Sequence, residues 1–485
     1  MTSKPMKSLH RPLVINFFSS SGTTIVNFVV SVILARLLSP GEIGVYSITI
    51  VFVNIAHIFR DFGVGIYLQR EPDLTAEKVG AAIAMVFTTS WIIAALLFFS
   101  STWIGVWFKE PNMIPVMKVL AVGFVFIPFG TVTTSLLARE FAAEKQAIVS
   151  IVGTVTFAAT CLILALLGFG TMSMAWANLV NIVVSALVLF PMRPKNFPWR
   201  PSLKHWRDVF HFGVGSLLSN TLVSINNAIA DILLGKLGNA TLVGLFSRAS
   251  ATVGIFWYLA GSTMNYGSIS YISQTHHRGE PLGPLLNRAT ALVTGVAWPA
   301  FALTYLFSHE IIATLYGEKW LAAVPAIDAL VISAGIGIIF NYTPIALTAI
   351  GRPYLSAIPT LVTVLTRIGF GYLLFDGTIQ SFAWGICAAT AVTTPFLIVQ
   401  HRLYLHHRFS TMLQALVPSA LVALICTGGA IVLKALLPTS LAPILVLSIL
   451  LLPIAGLWYL ALRMAKHPLT TELHRIGAGF RARFA

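Results

Sequence analysis

The chain has 485 residues, of which 57% are hydrophobic and 10% charged, and its mean hydropathy is +0.85. A soluble domain carries about 25% charged residues, so this chain cannot cover a water-facing surface of ordinary polarity; a secreted enzyme, a DNA-binding protein and a cytosolic dehydrogenase are disfavoured. The net charge of +15, from 31 Lys and Arg against 16 Asp and Glu, has a reading other than nucleic acid, because membrane proteins gather basic residues in their cytoplasmic loops.

The first twelve residues are short and basic, with Lys4, Lys7 and Arg11. The apolar run after them is long enough to span, and no small-residue cleavage site follows it, so a retained first helix is expected rather than a signal peptide. A span needs about 20 mostly apolar residues. On that measure fourteen spans are predicted, at 13–38, 43–68, 80–107, 113–137, 146–168, 171–192, 209–236, 241–270, 288–308, 321–350, 354–375, 378–400, 412–437 and 441–464. The fold class is therefore all-α and polytopic: two pseudo-symmetric six-helix lobes plus two C-terminal helices. The Pro-rich and basic segment from Arg193 to Asp208 divides the halves. The expected domains are 1–196 (first lobe), 197–408 (second lobe with the basic linker) and 409–485 (last two helices and basic tail). Every outer loop is short. Pro128, Pro299, Pro344, Pro359 and Pro395 fall inside spans, where they free backbone carbonyls and permit kinks.

The charges test this threading. With the N-terminus inside, 22 Lys and Arg fall on inside segments and 6 outside, an asymmetry that places both ends in the cytoplasm. The remaining three, Arg60, Arg248 and Arg367, fall within spans. Trp103 and Trp107 at the outer end of the third span fit an interfacial aromatic belt. Cys161, Cys387 and Cys426 lie in apolar runs without metal or redox spacing, so no disulfide and no metal site is expected. The pairs His276–His277 and His406–His407 fall in inside loops and are expected to form a solvated basic rim.

The two halves repeat. The stretch Ile33–Ser47 aligns without gaps to Leu233–Ser247, with Leu34/Leu234, Leu37/Leu237, Gly44/Gly244 and Ser47/Ser247 identical. Each stretch forms the first outer hairpin of its half. Six spans per half keep the halves in one orientation, which predicts a pseudo-twofold axis along the membrane normal and a substrate path between the halves.

At this hairpin the sequence resembles a known family. "LARLLSPGEIGVYS" in the first half, "RDFGVGIYLQRE" (Arg60–Glu71) and "ADILLGKLGNATLVGLFSRA" (Ala230–Ala249) look like the motifs of bacterial polysaccharide flippases of the Wzx type. These belong to the multidrug/oligosaccharidyl-lipid/polysaccharide exporter superfamily. The resemblance implies two six-helix lobes with two extra helices in the bacterial inner membrane. It also implies movement of a polyprenyl-diphosphate-linked oligosaccharide between leaflets by alternating access. A polysaccharide polymerase and a chain-length regulator are the partners it suggests, beside membrane lipid. Neither cofactor nor nucleic acid is implied, and no P-loop, protease or glycosyltransferase pattern occurs.

Ionisable residues inside a bilayer are expensive and are functional candidates by default. For a diphosphate, arginine is apt because its guanidinium is always charged and binds bidentately. Arg248 lies about two turns into the eighth span, roughly 10 Å deep at 1.5 Å per residue. It either lines the cavity or pairs with Asp231 of the seventh span, which is itself a candidate ion-coupling site. Arg60 and Asp61 are adjacent on the second span and are expected to point in different directions. Arg367 is mid-span in the eleventh helix, with Asp328 a candidate partner. Asn227, Asn265 and Asn341 can hydrogen-bond a glycan, or bond between helices within a lobe. Three rival readings remain: a cation-coupled drug antiporter of the same superfamily, a lipid II flippase, and a membrane polymerase or ligase. The three arginines within spans weigh against the first, and the short outer loops against the last.

Overall fold

The computed structural model describes residues 7–194, 200–204, 206–255, 268–438 and 440–475. All regular structure among them is helical, since a helix satisfies its own backbone groups in hydrocarbon. By contacts the chain divides into two compact units, Met1–Gly244 and Leu245–Ala485.

The first unit holds α1 (Lys7–Leu37), α2 (Pro40–Asp61), α3 (Val64–Arg70), α4 (Ala76–Phe108), α5 (Met113–Phe126), α6 (Pro128–Arg139), α7 (Ala143–Leu166), α8 (Met172–Leu189) and α9 (Trp206–Leu237), and ends in the first turns of α10 (Ala240–Val253). Helix α1 packs on α7, α7 on α8, α4 on α5, and α9 on both α2 and α4. Helix α2 opens with a capping box: Ser39 Oγ accepts from the Glu42 N–H, and the Glu42 carboxylate accepts from the Ser39 N–H at 2.8 Å. Pro40, at the first helical position, loses nothing by lacking an N–H there.

The expected second span, 43–68, is broken. Phe62 and Gly63 both take left-handed backbone conformations, φ 42° and 66°, and the chain resumes as α3. Glycine adopts this freely, whereas phenylalanine at such a φ is strained. Tertiary packing holds it: the Phe62 ring lies 5.1 Å from that of Phe210 in α9. A Cβ at Gly213 would stand 2.0 Å from the Phe62 ring, so only glycine lets α9 pass. The expected fourth span bends by 55° between α5 and α6, at Pro128, where proline removes a helix donor. Buried Val64, Tyr67 and Leu68 of α3, Val79, Ile83 and Val86 of α4, and Val132 and Leu136 of α6 form one core cluster beneath this break.

The second unit continues α10 and holds α11 (Ser268–His277), α12 (Leu282–Leu306), α13 (Ser308–Leu315), α14 (Val324–Gly337), α15 (Thr343–Ala349), α16 (Ala357–Leu374), α17 (Ile379–Tyr404), α18 (Phe409–Ala435) and α19 (Pro443–Met464). Helix α12 packs on α18, α14 and α16 on α17, and α18 on α19. Phe307, Ala430, Val446 and Leu450 bury one contact region, and Val422, Cys426, Ala461 and Leu462 another.

Among the described residues eleven helices are long and apolar enough to cross a membrane, or up to twelve if the bent α5–α6 pair counts as one. The chain is a multi-pass membrane protein. The other two of the fourteen expected spans are the seventh and eighth. The seventh is a helix, α9, 32 residues long. The eighth runs across 256–267, outside the described residues.

Candidate functional site

In the first unit the last turn of α2 carries Arg60, buried at 8% exposure. Its guanidinium donates to Thr131 Oγ1 of α6 at 2.9 Å and pairs with the Asp61 carboxylate at 2.8 Å. This corrects the expectation that Arg60 and Asp61 diverge. At the helix end the long arginine side chain folds back to its neighbour, whose own side chain remains 56% exposed. The backbone is held too: Thr89 Oγ1 of α4 donates to the Arg60 carbonyl at 3.0 Å. Arg60 Nε is buried and has no hydrogen-bond partner among the described residues, which leaves one donor unspent.

Arg60 and Asp61 line a cavity of about 390 Å³ between α2, α3, α6 and α8. Its wall is rich in hydroxyls: Thr131, Thr134, Ser135 and Ser185. The first three donate to carbonyls four residues back on their own helix, at 3.0, 3.1 and 3.1 Å, and Ser185 donates to Asn181 Oδ1 at 3.2 Å. With their protons so used, these oxygens face the cavity only as acceptors. One fixed guanidinium among hydroxyl acceptors suits a polar ligand bearing both an anion and hydroxyl donors.

The remaining candidates are dispersed. Asp231 is half-buried and Asn227 exposed, both on α9. In the second unit Arg248 is half-buried on α10, and its guanidinium lies 5.6 Å from the ring of buried Tyr316, a cation–π arrangement. Asp328 is half-buried on α14 and Arg367 half-buried on α16. Asn341 is half-buried beside α15, and its amide nitrogen has no hydrogen-bond partner among the described residues. Asn265 lies outside the described residues.

The histidine expectation needs a second correction. His276, His277 and His406 are exposed, but His407 is buried at 3% exposure. His407 Nδ1 lies 3.0 Å from His401 Nδ1, His407 Nε2 lies 2.7 Å from Asn287 Oδ1, and His401 Nε2 lies 2.8 Å from Thr343 Oγ1. The doublet looks like a polar loop in sequence, and the partners of His407 come from α12 and α17. Thr131, the acceptor for Arg60, was likewise beyond the sequence: a threonine in an apolar helix has no distinguishing local signal.

Comparison with known proteins agrees with this architecture. Residues 33–325 match the family model described as "Polysaccharide biosynthesis protein". The chain is 24% identical to the succinoglycan biosynthesis transport protein ExoT of Rhizobium meliloti over 80% of this chain and 78% of that one. It is 21% identical to the teichuronic acid biosynthesis protein TuaB of Bacillus subtilis, over 74% and 75%. With the lipopolysaccharide biosynthesis protein WzxC of Escherichia coli it shares 20% identity, over 76% and 73%. Among solved structures it is similar in fold to the lipid II flippase MurJ in an inward closed conformation, with TM-score 0.76 at 13% identity over 95% of this chain and 99% of that one. An inward-facing multidrug transporter of the MATE family matches with TM-score 0.59 at 17% identity, over 83% and 99%. The family match covers more than half of the chain, and the chain belongs to this polysaccharide biosynthesis protein family.

Proposed function

We propose that the chain is a flippase that moves a polyprenyl-diphosphate-linked oligosaccharide repeat unit from the cytoplasmic to the periplasmic leaflet of the bacterial inner membrane. It acts by alternating access, without covalent chemistry, in the assembly of an exopolysaccharide, capsule or O-antigen. The observation that carries this reading is Arg60: a buried guanidinium with an unspent donor, in a hydroxyl-lined cavity, in a chain whose family makes polysaccharides. An anionic diphosphate joined to a polyhydroxylated glycan has the complementary chemistry. Arg248 and Arg367 supply further cationic contacts, and Asn227, Asn265 and Asn341 hydrogen bonds to sugar. Asp231 and Asp328 serve as ion-pair or ion-coupling carboxylates. The Lys and Arg distribution supports cytoplasmic termini. The 200-residue repeat supports two lobes, 1–196 and 197–408, that rock about a shared axis, with helices 409–485 outside them. A polysaccharide polymerase and a chain-length regulator are the partners that consume the product.

Lipid II is the second substrate to weigh, because the MurJ fold is so close. At 13% identity that likeness carries the fold alone, while the curated relatives named here are proteins of polysaccharide synthesis. The test is mass spectrometry of membrane lipids from cells depleted of this protein. A build-up of a polyprenyl-diphosphate oligosaccharide is expected. A build-up of lipid II would reassign the substrate, and no change in any lipid-linked sugar would end the flippase reading. In complemented cells, Arg60→Ala, Arg248→Ala and Arg367→Ala at normal expression should each lose the surface polysaccharide. Normal export from all three would remove the cationic-site model.

A further inference from the structure

A second cavity, of about 830 Å³, opens in the first unit between the end of α3 and the first turn of α9. It shares no lining residue with the Arg60 cavity. Arg70 stands on the α3 wall, Arg207 and His211 on the α9 wall, and the rings of Tyr67 and Phe210 beside them. Among the described lining residues the single carboxylate, Glu71, is engaged in an ion pair with Lys78. The described lining is therefore cationic on balance, and the cavity volume lies in the range of small-molecule sites, about 300–1,000 Å³.

Both walls are tied down. On the α3 side, Arg139 of α6 gathers the chain end that carries Arg70: its guanidinium donates to the carbonyls of Leu68 at 3.0 Å, Glu71 at 2.5 Å and Pro72 at 3.2 Å. On the α9 side, the segment leading to Arg207 is fixed to α4. The Ser202 N–H donates to the Gly80 carbonyl at 3.0 Å, and Lys204 pairs with Glu77 at 2.9 Å. Trp206 backs Phe210, with ring centroids 5.5 Å apart. Two arginines on separate, anchored chain segments line one cavity and supply cationic donors for a phosphate ester, and the aromatic rings give an apolar surface beside them. The distribution of Lys and Arg assigns both chain segments to the inside-facing ends of their spans, where lipid phosphates would be met.

We propose that this cavity is a phosphate-ester site that first receives the diphosphate head of the lipid-linked precursor at the inner membrane surface, before it reaches Arg60. The proposal rests on the flippase reading for the identity of the lipid, and on the cavity alone for the phosphate.

The experiment measures binding of glycan-free polyprenyl diphosphate to the full chain in detergent micelles by native mass spectrometry. Arg70→Ala with Arg207→Ala should weaken it by about tenfold or more. Arg70→Lys with Arg207→Lys, which keeps the charge and loses the bidentate guanidinium groups, should weaken it less. Arg402→Ala with Arg463→Ala, which removes two exposed cations elsewhere, should leave it unchanged. Equal affinity in the first variant and the wild type overturns the proposal, as does equal loss in the Arg402/Arg463 control. Inorganic diphosphate should compete weakly, and only with the wild type; binding as tight as that of the lipid would make this a site for free phosphate and overturn the assignment. Displacement by equimolar phosphatidylglycerol would make it a general acidic-headgroup site and overturn it equally. Lipid profiling separates the two readings. Accumulated lipid-linked sugar on depletion, with normal binding by the Arg70/Arg207 variant, sinks this site and keeps the flippase. No accumulation, with binding lost in that variant, sinks the flippase and keeps the site.

Discussion

His407 shows how a single residue couples to its surroundings. With both rings neutral, one set of protons serves every contact: the Thr343 hydroxyl donates to His401 Nε2, His401 Nδ1–H to His407 Nδ1, and His407 Nε2–H to Asn287 Oδ1. A further proton on His407 would sit on Nδ1 and point at the His401 Nδ1–H across 3.0 Å. Burial pushes the His407 imidazole below its ordinary 6.5. The unfolded chain therefore binds more protons than the folded one between that lowered value and 6.5. Stability is full above 6.5 and is lost as pH falls through the window. The protection of amides 401–408 against hydrogen exchange, taken relative to the intrinsic rate at each pH, should accordingly fall between pH 7 and pH 5. His467, bound to Ser419 Oγ at 3.0 Å and also lowered by burial, acts in the same direction, so His407→Gln should remove part of the pH response. Protection unchanged with pH would show that the chain of rings does not govern this corner.

At the scale of elements, the repeat is legible in structure as well as sequence. Helices α1 and α9 end at Leu37 and Leu237, and α2 and α10 begin at Pro40 and Ala240, two hundred residues apart in each case. The caps correspond without being identical. Ser39 Oγ accepts from the N–H of Glu42, and Asn239 Oδ1 accepts from the N–H of Leu242 at 3.0 Å; either residue type fills an N-cap. Within the first unit the two hairpins meet at equivalent glycines. A Cβ at Gly44 would stand 1.7 Å from the Ala240 carbonyl oxygen, and one at Gly244 would stand 1.9 Å from that of Pro40. Backbone cannot yield as a side chain does. Gly44→Ala and Gly244→Ala are each expected to destabilise by about 1–3 kcal/mol, seen as a lowered melting temperature of the purified protein. An unchanged value for both would mean that the hairpins do not touch.

At the scale of the whole molecule, the distribution of basic residues predicts sidedness. A single cysteine placed at Lys109 should react with a membrane-impermeant maleimide on intact spheroplasts. One placed at Arg402 should react only after permeabilisation. The native Cys161, Cys387 and Cys426 are all buried, so their background labelling should be low. Reversed accessibility would invert the topology and with it the direction of the proposed transport. The aromatic pair at one end of α4 fits the same picture. Trp103 and Trp107 are exposed and stacked with centroids 6.3 Å apart, and Lys236 reaches the Trp107 carbonyl at 2.8 Å, as expected at a membrane interface.

The sequence by itself determined the helical class, the membrane-spanning runs and the hairpin repeat. Each is written in local composition and in charge along the chain, which water and hydrocarbon sort without reference to distant residues. It also marked Arg60 as a site candidate, because a charge in an apolar run is costly wherever the run folds. Only the tertiary structure decided what those residues meet. Arg60 turned to Asp61 and to Thr131, a residue 71 positions away. Phe62 took a left-handed conformation because Phe210 and Gly213 of α9 press on it. His407 left the surface for partners on two helices, and Arg70 and Arg207 came to face one cavity. Such pairings depend on side-chain reach between segments far apart in the chain, and no local pattern of polarity encodes them.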